Sequence, residues 1–184
     1  MLACDVFTVD TVLLRHLYVF FIELDTRRVH VSGITANPVG EWVTQQARNL
    51  SFALAEQGHP TRFLIRDRDT KFTASFDEVF ATEGIRIIRT PIGSPRANAF
   101  AERFVGTIRR ECLDSMLVFH RWQLETVLSE FVDHYNEHRP HRSFGQQAPL
   151  AGKRRRLQIS DPDPAQLRRR DKFGGLVHEY RLVA

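Results

Sequence analysis

Ala3-Cys4-Asp5-Val6-Phe7-Thr8-Val9-Asp10, Leu17-Tyr18-Val19-Phe20-Phe21-Ile22-Glu23-Leu24 and Val29-His30-Val31-Ser32-Gly33-Ile34 are three β-branched, aromatic-rich runs within the first 34 residues. Each has strand length, and the gaps between them are too short for a helix. The second gap holds the turn-like Asp25-Thr26-Arg27-Arg28. Three strands joined this closely form an antiparallel meander.

Beyond the meander the period changes. Pro38 opens a helix after Asn37, and Val43, Ala47, Leu50 and Leu54 recur at helical spacing until Gly58 stops it. Arg62 to Arg66 reads as a short buried strand. Ser75-Phe76-Asp77-Glu78 is a capping-box pattern that starts a helix ending at Gly84, and Ile85 to Arg89 is a fifth strand. Strands separated by helices pair in parallel. The expected fold class is therefore α/β, a mixed five-stranded sheet of antiparallel meander plus parallel strands, with helices on both faces.

Pro91 to Ala97 is a loop. A long helix starts near Asn98 and runs towards Asp114. Another spans Trp122 to His138, with Leu124, Val127, Leu128, Phe131 and Tyr135 on one face and Pro140 ending it. Residues 1–150 read as one domain. Residues 151–184 read as a basic linker with a short C-terminal strand, in which Leu176, His178, Tyr180 and Leu182 alternate.

The chain of 184 residues carries 26 Lys and Arg against 22 Asp and Glu, a net charge of +4. That excess is uneven. Residues 151–184 hold nine basic and four acidic residues, or +5, and the preceding 150 residues are near neutral. Such a tail suits a polyanion partner. No run approaches the roughly 20 apolar residues of a membrane span. Cys4 and Cys112 alone exclude a disulfide framework, and a reducing, cytoplasmic setting is expected.

Three carboxylates stand where stability would not choose them. Asp5 is in the middle of an apolar strand, where an unpaired charge is expensive to bury. Asp67 directly follows Phe63-Leu64-Ile65-Arg66, at the strand edge where open α/β sheets bind ligands. Glu102 lies about one turn into a helix, after the loop. Carboxylates from three elements converging on hard divalent cations would suit phosphoryl transfer.

Together these residues carry a resemblance. Asp5, Asp67 within Asp67-Arg68-Asp69-Thr70-Lys71-Phe72, and Glu102 35 positions after Asp67 resemble the Asp-Asp-Glu triad of retroviral-type integrases and insertion-sequence transposases. Asn98-Ala99-Phe100-Ala101-Glu102-Arg103-Phe104 is similar to that family's glutamate helix. Tyr135-Asn136-Glu137-His138-Arg139-Pro140-His141 is similar to its Tyr-Asn-x-x-Arg-Pro-His motif. Asp69 occupies a place where the family more often has Gly, but Asp67 keeps the family spacing. Asp10 falls outside the family position.

The resemblance implies a ribonuclease H-like core that cuts and joins DNA with two Mg²⁺ ions, Mn²⁺ substituting. Asp5, Asp67 and Glu102 would be both catalytic residues and metal ligands. Arg109, seven positions after Glu102, would touch the DNA end, with Arg96 and Asn98 reaching phosphates or bases from the loop. Arg154, Arg155 and Arg156 suit sequence-independent phosphate binding, as do Arg168, Arg169 and Arg170. The implied partners are mobile-element ends and target duplex, further copies of the chain, and a separate DNA-binding transposase subunit. Two other readings are a metal-dependent nuclease without joining activity and a catalytically silent DNA-binding remnant.

Overall fold

Strand β1 (Leu2–Asp10) is the middle of five, with β2 (Arg15–Glu23) antiparallel on one side and β4 (Phe63–Arg66) parallel on the other. Strands β3 (Val29–Thr35) and β5 (Arg86–Arg89) complete the order β3-β2-β1-β4-β5, β3 antiparallel to β2 and β5 parallel to β4. The computed structural model describes residues 1–12, 15–58, 61–91, 98–150 and 167–182. The expected mixed sheet is the observed one.

Strand side chains alternate between faces, so β1 serves two cores. Leu2 and Cys4, with Val19 and Phe21 of β2, pack against α1 (Gly40–Glu56) and α2 (Ala74–Thr82). Ala3, Phe7 and Val9, with Tyr18, Phe20 and Ile22, pack against α3 (Ala99–Glu111) and α4 (Arg121–Glu137). Phe20, Phe104 and Phe131 are sealed in that second core, and burying each contributes about 1.5–3 kcal/mol. Asp5 shares the parity of Ala3 and Phe7, which puts it on the α3 side.

Two helix starts differ from the sequence reading. Helix α1 begins at Gly40, with Val39 rather than Asn37 as its extended cap. A Cβ on Gly40 would meet the Thr73 Cγ2 at 2.5 Å, so this glycine lets α1 approach the start of α2. Helix α2 is capped by Thr73, whose Oγ1 accepts the Phe76 N–H at 3.4 Å. Ser75 already lies inside the helix, and the expected capping box is not used.

The C-terminal segment holds more structure than a single strand. Strands β6 (Leu167–Lys172) and β7 (Val177–Leu182) form an antiparallel hairpin, so the Arg168-Arg169-Arg170 run is part of a strand. The expected alternation is visible in the exposure of its residues. Leu176, His178 and Tyr180 are exposed, and Glu179 is buried. The reason is chemical: the Glu179 carboxylate meets Nδ1 of His134, on α4, at 3.1 Å and Nε2 of His138, the residue after that helix, at 3.4 Å. Phe173, at the hairpin turn, packs 6.0 Å from the Phe131 ring. Arg96, Arg154, Arg155 and Arg156 lie outside the described residues. Among the described residues, no helix is long and apolar enough to cross a membrane.

Candidate active site

The parallel register between β1 and β4 pairs Leu2 with Leu64 and Ala3 with Ile65. Continuing it by two residues sets Asp67 level with Asp5. Ile65 packs in the α3-side core, so Asp67 inherits the same face as Asp5. The third carboxylate comes from across the layer, in the first turn of α3.

Two hydrogen bonds lay α3 along β1. Asn98, the residue before α3, donates its side-chain amide to the Cys4 carbonyl at 3.2 Å. Eleven positions later, Arg109 donates a guanidinium N–H to the Thr8 carbonyl at 2.8 Å. The first bond fixes the start of the glutamate helix at the residue next to Asp5. Asn98 is itself buried, and its bond to the Cys4 carbonyl makes it a strut between β1 and α3. Arg109 is exposed and retains donors beyond its bond to Thr8.

The electrostatics of the three carboxylates set them apart. Burial pushes the Asp5 carboxyl up to about 6, and the negative charges of Asp67, Glu102 and Asp69 push the same way. The Val6 N–H, 2.8 Å from Asp5 Oδ1, opposes this. Among the described residues, no cationic side chain forms an ion pair with Asp5, Asp67 or Glu102. Other acids nearby are neutralised: Asp69 by Lys71 at 2.9 Å, Asp77 by Arg66 and Arg89 at 2.7 Å each, and Glu111 by Arg139 at 2.6 Å.

Asp67 is also held from behind. Its Oδ1 accepts the Asp69 N–H at 3.0 Å, and its backbone carbonyl accepts from Arg66 Nη1 at 2.8 Å. Arg66 faces α2 and grips Asp77 through two bonds of 2.7 Å. The guanidinium bonds hold the Asp77 carboxyl below its usual range against the opposing effect of burial. Sequence reasoning missed this brace, because Asp77 reads as an ordinary first-turn acid of α2. Asp10, the competing acid, sits five residues along β1 at the opposite parity, about 16 Å from Asp5 at strand rise.

Among the described residues, no three His, Cys, Asp or Glu side chains gather closely enough to hold a metal ion as they stand. The donor set of Asp5, Asp67 and Glu102 nonetheless suits a hard divalent cation. It offers only carboxylate oxygens, lacks a counter-cation, and bears a mutual repulsion that added positive charge would relieve.

The fold is that of the ribonuclease H-like integrase and transposase catalytic cores. A chain of the simian T-cell lymphotropic virus intasome in complex with the PP2A regulatory subunit B56 gamma superposes with a TM-score of 0.67 at 13% identity, over 89% of this chain and 58% of that one. The HTLV-2 integrase catalytic core in complex with magnesium gives 0.56 at 13% identity, over 79% and 90%. The Mos1 mariner transposase catalytic domain gives 0.55 at 14%, over 71% and 68%.

Sequence comparison narrows the class. Residues 83–149, which include Glu102 and the Tyr135–His141 motif, match the integrase core domain family. An uncharacterized 39.2 kDa protein of insertion element IS476 from Xanthomonas euvesicatoria is 34% identical over 103 residues, 55% of this chain and 30% of that protein. The putative transposase InsD of insertion element IS2E from Escherichia coli K12 is 35% identical over 66 residues, 36% of this chain and 30% of its own. Residues 83–149 thus match the integrase core domain family, the chain is similar to proteins of mobile insertion elements, and its match spans under a third of each of these two relatives.

Proposed function

We propose that this chain is the catalytic core of an insertion-element transposase that cuts DNA and joins the cut end to a target by metal-dependent phosphoryl transfer. The observation that carries the reading is the trio Asp5, Asp67 and Glu102, without cationic partners among the described residues and within one another's field. These three carboxylates would hold Mg²⁺, or Mn²⁺ in its place. When bound, such cations activate a water or a 3′-hydroxyl and stabilise the leaving oxygen of an in-line displacement.

The chain's own contribution is placement. Asn98 seats the start of α3 against β1, which sets Glu102 towards Asp5. Arg66 fixes the backbone of Asp67 from the opposite layer, and Lys71 neutralises the neighbouring Asp69. Arg109 and Arg96 would take phosphates beside the carboxylates, and Arg154, Arg155 and Arg156 would add sequence-independent backbone contacts. The core would act as an oligomer around paired DNA ends, with a separate subunit or segment supplying sequence recognition.

The test is incubation of labelled element-end duplex with the protein and Mg²⁺ or Mn²⁺, resolving cut and joined products. Metal-dependent cutting and joining, both lost in Glu102→Gln, is the expected result. Cutting without joining would support the nuclease reading, and DNA binding without metal-dependent cutting would support the silent remnant.

A further inference from the structure

A cavity of about 760 Å³ opens on a different side of α3 from Glu102. Its wall carries Arg27 from the turn between β2 and β3, Arg103 and Arg110 from α3, and Arg139 and Arg142 from the segment after α4. At 100° per residue, Arg103 and Arg110 project about a quarter turn round the helix from Glu102. Only Arg139 is neutralised, by Glu111. Among the described residues, Arg27, Arg103, Arg110 and Arg142 form no ion pair, although Asp25 acts on Arg27 from a distance. Guanidinium groups gathered around one cavity repel one another, and a fold gains nothing from such a cluster by itself.

Its details suggest an absent acceptor. Phe100 holds two of the cations by its ring, the Arg27 guanidinium carbon at 3.7 Å and that of Arg103 at 5.8 Å from the centroid. The Nη1 of Arg27 is buried without a hydrogen-bond partner, an unfavourable state for a charged donor. The Nε2 of His141, also on this wall, is likewise buried and unmet. Burial, with Arg139 and Arg27 nearby, holds that imidazole down to about 4, so it is neutral at pH 7. The cavity therefore offers several N–H donors and net positive charge.

We propose that this arginine pocket is a second DNA-backbone site, in which Arg27, Arg103, Arg110 and Arg142 take the phosphodiesters of a strand running beside α3. Guanidinium forks match phosphate oxygens in pairs, and a cavity of this size takes more than one phosphate. The site is distinct from the carboxylate trio, and it stands whether or not that trio performs catalysis.

The experiment compares random-sequence duplex binding by the full chain, by an Arg103→Gln/Arg142→Gln variant and by Arg103→Lys/Arg142→Lys, across roughly 50 to 300 mM salt. Both replaced residues are exposed. The Gln variant should lower the log–log salt slope by about 1.8, two contacts at about 0.9 each, and the Lys variant should restore it. An unchanged slope in the Gln variant overturns the proposal. The slope is read in metal-free buffer, where no cutting occurs, which separates this site from the catalytic reading. A titration with inorganic phosphate forms a second arm. Phosphate binding that Arg103→Gln/Arg142→Gln abolishes, with the DNA slope unchanged, would make the pocket a small-anion site and overturn the backbone assignment. Arginine-specific dicarbonyl modification of the unmutated protein gives a readout independent of folding. DNA should protect Arg103 and Arg142 from the reagent, and equal modification with and without DNA overturns the proposal.

Discussion

Asn136, on the last turn of α4, pairs with the backbone of Val29 as a neighbouring strand would. Its Oδ1 accepts the Val29 N–H at 2.9 Å, and its Nδ2 donates to the Val29 carbonyl at 2.9 Å. Val29 opens β3, an edge strand of the sheet among the described residues. One side chain thus satisfies two buried backbone groups and locks α4 to the sheet. The Asn of the Tyr-Asn-x-x-Arg-Pro-His motif is structural here.

Asn136→Ala should destabilise the fold by about 2–4 kcal/mol, since it leaves a buried donor and a buried acceptor unmet. Asn136→Asp should also destabilise it, because it removes the donor and brings a charge to a buried site. Urea unfolding measures both, and a loss below about 1 kcal/mol for the Ala variant would mean that water replaces the amide.

Asp77→Asn should cost about 3–5 kcal/mol, the effect of leaving the buried Arg66 guanidinium without its counter-charge. The pH dependence has a definite sign. The folded carboxyl lies below its ordinary 3.8, so the unfolded chain binds its proton first as pH falls. The stabilisation is complete above that value and disappears as pH drops through the folded one. The stability gap between the parent and Asp77→Asn should therefore narrow below about pH 4. A gap constant down to pH 2 would contradict the assignment.

Asp67→Asn should abolish metal-dependent cutting, whereas Asp69→Asn should retain most of it. Asp69 is already neutralised by Lys71, and Asp67 has no cation among the described residues. The reverse outcome in a cleavage assay would shift the candidate ligand by two positions.

Glu179→Gln should loosen the β6–β7 hairpin while leaving the five-stranded sheet intact. The carboxylate is a polar link from β7 to His134 of α4 and to its C-terminal neighbour His138, and Phe173 and Val177 pack against the core beside it. Hydrogen exchange should accelerate at amides of residues 167–182 and not in β1 or β4. Uniform acceleration through both would show that the hairpin is part of the core's cooperative unit.

The meander, the parallel strands and the layer of helices were legible because each rests on local pattern. Residues of alternating parity in β1 are apolar on both sides, which declares a central strand and makes Asp5 conspicuous. The Asp67–Glu102 interval is likewise a property of the chain alone. Tertiary structure decided the rest. The Ala3–Ile65 register, not any local signal, sets Asp67 beside Asp5. The bond from Asn98 to the Cys4 carbonyl, 94 positions away, is set by packing alone. Pairing with β7 made a strand of Arg168–Arg170, which composition read as linker, and the same pairing turned Glu179 inward. Arg27, Arg103 and Arg142 meet round one cavity although 76 and 39 positions separate them along the chain. Local periodicity follows from the geometry of a single strand or helix. Which charges become neighbours depends on how distant elements pack, and nothing in the spacing of those charges encodes it.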